Sequence, residues 1–335
     1  MLGLKDIYGE SESVRESRKI IEKIAGSPAK SILIYGETGT GKGLVARIIH
    51  NSSSQANQPF IDINCAAIPS ELFESELFGH ERGSFTGALS SKVGLIEHAN
   101  GGTLFLDELR ELNHTSQAKL LSVLDSQKFR RVGATNDIKV NVRFIGATNR
   151  ILYQEVQKGN FRDDLYYRLQ IVAINLPPLR ERDDDCMLLT DRFIQKFNKK
   201  YSKKIKGWEP AVTEVFKKYK WPGNVRELEN LLERIFILED SDMILVKHIP
   251  PRILREVEGF PQLRRTQKDI SGTESSPESD ESPEPVEFYE ATSKFQKFLI
   301  GEALEKNAGS LSKAARQLGL TRHSLRHQML KLGMR

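Results

Sequence analysis

The chain has 335 residues, 39% of them hydrophobic and 28% charged, with a formal net charge of +5. That length and composition exclude a disordered or fibrous chain and allow two or three domains with a real apolar core; the mildly basic balance permits a nucleic-acid partner without demanding one. Cys65 and Cys186 stand far apart in no ligand or redox spacing, MLGLKDIYGE holds no signal-like apolar stretch, and no run reaches bilayer-spanning length, so a soluble protein of the reducing cytoplasm is expected, without disulfides or zinc.

From Val14 to about Asn175, short apolar β-branched runs alternate with amphipathic stretches. SILIYG, PFIDINC, GTLFLDE and VRFIGATN predict buried parallel strands, and Gly43–His50 and Ser116–Leu124 predict helices between them. This alternation argues for a doubly wound α/β domain over residues 1–176. Past Leu176-Pro177-Pro178 the strand signals stop. Asp184–Tyr201, Glu209–Tyr219 and Asn224–Leu238 carry apolar residues at helical spacing, which predicts a small all-helical domain over 177–254, closed by Pro250-Pro251. Residues 255–290 turn to Ser, Glu, Pro and Asp (SGTESSPESDESPEPVE), too polar to bury a core, and read as a flexible linker. Residues 291–335 are helical and basic again.

Gly36-Glu37-Thr38-Gly39-Thr40-Gly41-Lys42 joins the strand SILIY to the helix GLVARIIH. This is GxxxxGK in the setting that lets backbone N–H groups and a helix N-terminus surround phosphates, with Lys42 reaching the β/γ-phosphates. Gly43 replaces the hydroxyl residue that ordinarily helps hold magnesium, so the metal must lean on water and an acid elsewhere. Gly101–Glu108 is an apolar strand ending in two acids: Asp107 to hold the magnesium shell and Glu108 to polarise the attacking water. Together these segments predict hydrolysis of a nucleoside triphosphate, ATP with Mg2+.

GETGTGKGLVARIIH, FIDINCAAI, ELFGHERGSFTGA, GGTLFLDE, FIGATNR, FRDDLYYRL, LPPLRER and WPGNVRELEN, in this order, resemble the sigma-54-dependent AAA+ transcription activators, the bacterial enhancer-binding proteins. The resemblance implies an AAA+ P-loop NTPase with a helical lid. It implies that Gly83-Ser84-Phe85-Thr86-Gly87-Ala88 is the exposed loop that contacts sigma-54, with Ser84 where the family usually has Ala; without it, a Phe85 folded into the local core would be the simpler expectation. By position, Asn64 matches an Asn that can bond the catalytic acid Glu108, Thr148 and Asn149 match sensor I, and Arg226 matches sensor II. Arg162 and Arg168 match arginines offered in trans to a neighbouring subunit's nucleotide, although Asp164 and Arg168, four apart, could also pair on one helix. Arg110 stands where the family commonly has Gly.

EALEKNAGSLSKAARQLGLTRHSLRHQMLKLGMR reads as a helix-turn-helix: Ser310 or Ser312 caps a helix through Arg316-Gln317, Gly319 turns, and Thr321 caps a second helix through Leu332. Ala314, Ala315, Leu318, Leu325, Met329 and Leu330 supply its small core. The run resembles the Fis type of the same activators. Thr321 opens the recognition helix, Arg322, His323 and Arg326 are the candidates for base edges in double-stranded DNA, and Lys331 and Arg335 for phosphates. The resemblance implies a homo-oligomeric ring, a hexamer, that remodels the sigma-54 RNA polymerase closed complex. The AAA+ likeness starts within ten residues of Met1, so control by a separate inhibitor protein is expected if Met1 is the native start, with a sensory domain removed from in front as the alternative. A repressor that has lost the sigma-54 contact and a remodelling ATPase without a promoter role are the alternatives; Phe85 and Thr86 argue against the first, the helix-turn-helix against the second.

Overall fold

The computed structural model describes residues 2–149 and 151–257, and in the C-terminal part 297, 300–304, 307, 310–318, 320, 322, 325, 326, 329 and 332. The chain divides into two compact units, Met1–Leu263 and Arg264–Arg335.

In the first unit five strands form one sheet: β1 (Ser31–Tyr35), β2 (Phe60–Asn64), β3 (Thr103–Asp107), β4 (Arg143–Thr148) and β5 (Ala173–Asn175). Their order is β2-β3-β4-β1-β5, and every pairing is parallel. The four expected strands are present; β5 is a three-residue edge, too short to leave a sequence signal. Burial on both faces explains the apolar runs, and the period of two sends alternate residues to opposite sides. Ile32, Ile34, Phe105, Ile145 and Ala147 pack with helices α1 (Glu12–Ala25) and α2 (Lys42–Asn51). Leu33, Leu104, Leu106 and Phe144 face the other layer, built from α3 (Ser70–Phe78), α4 (His114–Ser126) and α5 (Asp163–Leu169). Parallel register brings the C-terminal strand ends to one edge, Tyr35 beside Thr148 and Asn64 beside Asp107. Ligands of open α/β sheets gather at that edge.

The lid consists of α6 (Asp185–Tyr201), α7 (Pro210–Lys218) and α8 (Asn224–Leu238), with Phe197, Phe216, Trp221, Leu232 and Phe236 in its core. The Trp221 indole N–H donates to the Phe216 carbonyl at 2.9 Å. The lid is not wholly helical: Gly207–Trp208 pairs in parallel with Met243–Ile244. Nor does it end at Leu254, because Ile253, Leu254 and Val257 are all buried in its core. Residues 255–257 of the expected linker thus belong to the lid, and the rest of it lies outside the described residues. No helix among the described residues is long and apolar enough to cross a membrane.

In the second unit α9 (Leu311–Gln317) follows Ser310, which sits at the N-cap but makes no side-chain cap bond. Ala314, Ala315 and Leu325 are buried with Ile300 and Ala303, and Leu318 and Met329 pack at the margin, as the helix-turn-helix reading expects. Thr321, His323, Leu330, Lys331 and Arg335 lie outside the described residues.

Candidate nucleotide site and partner loop

The loop between β1 and α2 takes a shape only glycine allows at two positions: Gly39 and Gly41 have φ of +82° and +101°. A Cβ on Gly39 would lie 2.1 Å from the Gly223 carbonyl, so the lid backbone is seated on the phosphate loop there. The Arg226 backbone N–H donates to the Gly39 carbonyl at 3.3 Å, so the start of α8 lies against the loop. Lys42 is buried and donates to the Gly36 carbonyl at 2.9 Å and the Glu37 carbonyl at 3.3 Å. Burial pushes its ammonium below the ordinary lysine value, while Asp107 and Glu108 pull the other way. Gly43 has room beside it: a Cβ added there would find its nearest neighbour in Phe105 Cε1, at 3.7 Å.

Asp107 closes β3, and its Oδ1 accepts the Glu108 N–H at 3.0 Å. Glu108 turns the chain with φ of +54°, and burial raises its carboxyl above the ordinary range, with Lys42 opposing. Thr148 is buried at the end of β4, and its carbonyl accepts the Gly36 N–H at 3.2 Å. Asn149 Nδ2 lies 3.5 Å from Thr38 Oγ1, and its buried Oδ1 has no partner. These side chains converge on the phosphate loop. Asn64 Oδ1 caps the next turn by accepting the Ala66 N–H at 3.0 Å, which leaves Nδ2 as the group able to donate to a carboxylate.

Magnesium keeps several waters and typically takes one or two protein carboxylates beside the phosphates. The chain fits that demand: Asp107 ends β3 close enough to Lys42 to act on its ammonium. Glycine-lined loop and buried ammonium likewise fit a triphosphate.

Four residues that the sequence reading passed over fasten the lid to this site. Asn224, fully buried with φ of +51°, donates to Glu37 Oε2 at 3.1 Å and to the Thr38 carbonyl at 3.0 Å, and accepts the Leu179 N–H at 2.8 Å. Arg180 pairs with Glu37 at 2.7 Å and holds its carboxyl below the ordinary range. Arg182, buried, donates to the Pro177 carbonyl at 2.8 Å and the Thr40 carbonyl at 3.3 Å. Asp185 accepts the Ser11 hydroxyl at 2.8 Å, pinning the N-terminal segment to the lid. Behind the loop, a cavity of about 570 Å³ is walled by Ile7, Tyr8, Val45, Leu176, Phe193 and Val225, a size and polarity suited to a nucleotide base.

Arg162 and Arg168 both lie near α5, half-exposed. Arg162 pairs with Asp164 at 2.6 Å, and Arg168 with Asp125 at 2.8 Å. The Asp164–Arg168 helix pair is therefore replaced by two others. Surface pairs of this kind are worth about 0–1 kcal/mol, so either arginine can be released at small cost.

The loop from Gly83 to Ala88 is closed at its base by the Gly83 N–H donating to the Ala88 carbonyl at 2.8 Å. Gly83 and Gly87 take φ of +79° and +103°. Phe85 is 43% exposed and meets His80 edge-on at 5.0 Å, so it caps the loop without entering the core. Thr86 is exposed, Ala88 buried. Ser84 Oγ is buried without a partner, and a Cβ on Gly133 would come within 2.6 Å of Ser84 Cβ. That second loop is joined to the first by Arg131, which pairs with Glu81 at 3.0 Å and Glu97 at 2.7 Å.

The family described as sigma-54 interaction domain matches residues 7–175, an AAA+ ATPase lid domain matches 180–265, and the Fis family of bacterial regulatory proteins matches 293–332. The chain belongs to the sigma-54 interaction domain family. Among relatives, nitrogen fixation protein AnfA of Azotobacter vinelandii is 43% identical over 329 residues, covering 98% of this chain and 58% of AnfA. Regulatory protein AtoC of Escherichia coli (strain K12) is 40% identical over 328 residues, covering 98% of this chain and 68% of AtoC. The chain thus spans little more than half the length of AnfA and two thirds of AtoC. Among solved structures, NtrX of Brucella abortus in complex with ATP is similar with a TM-score of 0.70 and 32% identity, over 97% of this chain and 69% of that one. In this sigma-54 family member the DNA-contact candidates are only partly described: Arg322 is exposed, Arg326 is exposed, and Thr321 and His323 fall outside the described residues.

Proposed function

We propose that this chain is a sigma-54-dependent transcription activator, binding upstream DNA through its helix-turn-helix and using ATP hydrolysis in a ring to open a promoter complex. The observation that carries the reading is the pairing, in one unit, of a phosphate loop and two strand-end acids with a glycine-hinged loop whose Phe85 stands out to solvent. Lys42 and the loop N–H groups bind the phosphates, Asp107 holds magnesium, and Glu108 orients and polarises the attacking water. Burial raises the Glu108 carboxyl above the ordinary range, with Lys42 opposing, which makes it a better proton acceptor than an exposed glutamate. Magnesium supplies charge neutralisation at the phosphates. Thr148 and Asn149 sense the terminal phosphate, and Arg226 reports to the lid. Asn64, at the end of β2 beside Asp107, is on the same strand-end edge, and its Nδ2 is the donor for Glu108 while its Oδ1 accepts the Ala66 N–H.

Arg162 and Arg168 reach a neighbouring subunit in a hexamer, and nucleotide turnover drives Gly83–Ala88 against sigma-54. Support for the trans role is that both arginines are half-exposed and bonded away from the phosphate loop: Arg162 to a surface carboxylate, Arg168 to another and to the Leu124 carbonyl at 3.2 Å. The test is ATPase rate against protein concentration for wild type and Arg168→Ala. A per-subunit rate that rises with concentration and collapses in the variant is expected. A rate independent of concentration and indifferent to the substitution refutes the ring site and leaves a DNA-binding ATPase whose subunits act alone.

A further inference from the structure

Glu108 is followed by a single tight turn, Leu109–Glu111. The positive φ at Glu108 and this turn bring two side chains of like placement and opposite charge together: Arg110 Nε lies 3.9 Å from Glu108 Oε2. Both atoms are buried, and both lack a hydrogen-bond partner. At that distance no hydrogen bond exists; a small rotation of either side chain makes one. The guanidinium is held from its far end, Nη2 to Glu111 Oε1 at 2.9 Å, so it stays beside Glu108 rather than swinging into solvent. Asn64, the other partner expected for Glu108, uses its Oδ1 to accept the Ala66 N–H, and Glu108 Oε2 is left without a hydrogen bond.

We propose that Arg110 is a positioning residue, a latch within the same subunit that draws the Glu108 carboxylate aside and so holds hydrolysis back. A buried carboxylate oxygen and a buried guanidinium nitrogen each carry a desolvation cost that their bond relieves, and a charge-assisted bond is the stronger kind. Bonded to Arg110, Glu108 is oriented away from the attacking water; unbonded, it is free to polarise it. Glu111 competes for the same guanidinium and so keeps the latch weak enough to open. The inference rests on the reading of Glu108 as the residue that activates water.

The test is steady-state ATPase kinetics of the full chain, at concentrations where the rate per subunit has levelled off, for Arg110→Ala, Arg110→Lys, Glu108→Gln and the double variant Glu108→Gln/Arg110→Ala. Arg110→Ala is expected to raise kcat severalfold with KM unchanged, whereas Arg110→Lys, which keeps the charge, stays close to wild type. In the Glu108→Gln background, loss of Arg110 should leave the low residual rate where it was. A melting curve for each variant guards against misfolding, and Arg110→Gln replaces the alanine variant if that one is unstable. A kcat that is unchanged or lower in Arg110→Ala, a change in KM alone, or an equal rise in the Glu108→Gln background overturns the latch. A Glu108→Gln protein that hydrolyses ATP like wild type overturns instead the role given to Glu108.

Discussion

Gly43 sits at the second residue of α2, where a phosphate loop ordinarily carries a hydroxyl, and the space around it bears on what the exchange costs. A Cβ there would meet only Phe105 Cε1, at ordinary contact distance. Gly43→Ser therefore adds no clash and removes a helical glycine, which should stabilise the fold by ~0.5 kcal/mol on helix propensity. If the site holds magnesium through Asp107, water and phosphates, the new hydroxyl gives it a further ligand, and the Mg2+ concentration for half-maximal ATPase should fall severalfold. Titrating hydrolysis with Mg2+ in both proteins checks this. An unchanged titration with a raised melting point would mean that the hydroxyl reaches no metal and that the loop is set differently from a hydroxyl-bearing one. Asn224 is the other residue at which a single side chain decides much. It is fully buried with a left-handed backbone, and three partners converge on it. Asn224→Gly keeps the backbone comfortable and strands the partners, for a loss of ~1–3 kcal/mol. Asn224→Ala adds backbone strain of ~1 kcal/mol to that loss. Melting points ordered wild type, Gly, Ala, with a raised KM for ATP in both variants, are expected; an alanine variant more stable than the glycine one would show that the left-handed backbone imposes no strain on a side chain here.

At the level of elements, the lid is joined to the phosphate loop by contacts that composition cannot reveal. Asn224 and Thr38 are 186 residues apart, Arg182 and Thr40 are 142 apart, and no periodicity connects them. By contrast β1, β3 and β4 were legible because burial on both faces leaves a run of apolar residues, and the phosphate loop because its chemistry requires glycines at fixed places. The edge strand β5 escaped because three residues give no pattern. The Asn64 contact escaped for another reason: an Asn oxygen capping an N–H two residues on is set by the local turn, here at Ala66, which a strand pattern does not announce. The pairing of α2 with β3 has a consequence for acid stability. His50, buried on α2, shares a hydrogen bond with Thr103 Oγ1 of β3 at 2.9 Å, and burial lowers its imidazole below the ordinary value. The neutral ring's contribution is complete above about pH 6.5, the unfolded value, and is lost as pH falls through the lower folded value. Melting temperature should therefore drop as pH goes from 7 towards 5, and drop less steeply in His50→Gln. His248 in the lid shifts in the same direction, so the variant's slope should shrink without vanishing. An identical slope in both proteins would remove His50 from the account.

For the whole molecule, the division into Met1–Leu263 and Arg264–Arg335 separates the work. The first unit carries every residue assigned to the nucleotide's phosphates, the attacking water and the neighbouring subunit. The second carries the helix-turn-helix, whose core of Ala314, Ala315 and Leu325 is its own. Residues 1–263 alone should therefore hydrolyse ATP with the same dependence on concentration as the full chain. DNA enters through mass action: subunits gathered on one duplex meet at a raised effective concentration, and assembly then needs less protein in bulk. Any duplex serves at low salt, because contacts to phosphate supply most non-specific binding, and added salt weakens them steeply. Adding duplex DNA at low salt should thus shift the full chain's rate curve to lower protein concentration, leave the 1–263 curve in place, and lose its effect as salt is raised. A full-length curve indifferent to DNA would detach the helix-turn-helix from assembly. A silent 1–263 fragment that melts cooperatively would place part of the subunit contact in the C-terminal unit, and the ring could not then be built from the AAA+ unit by itself.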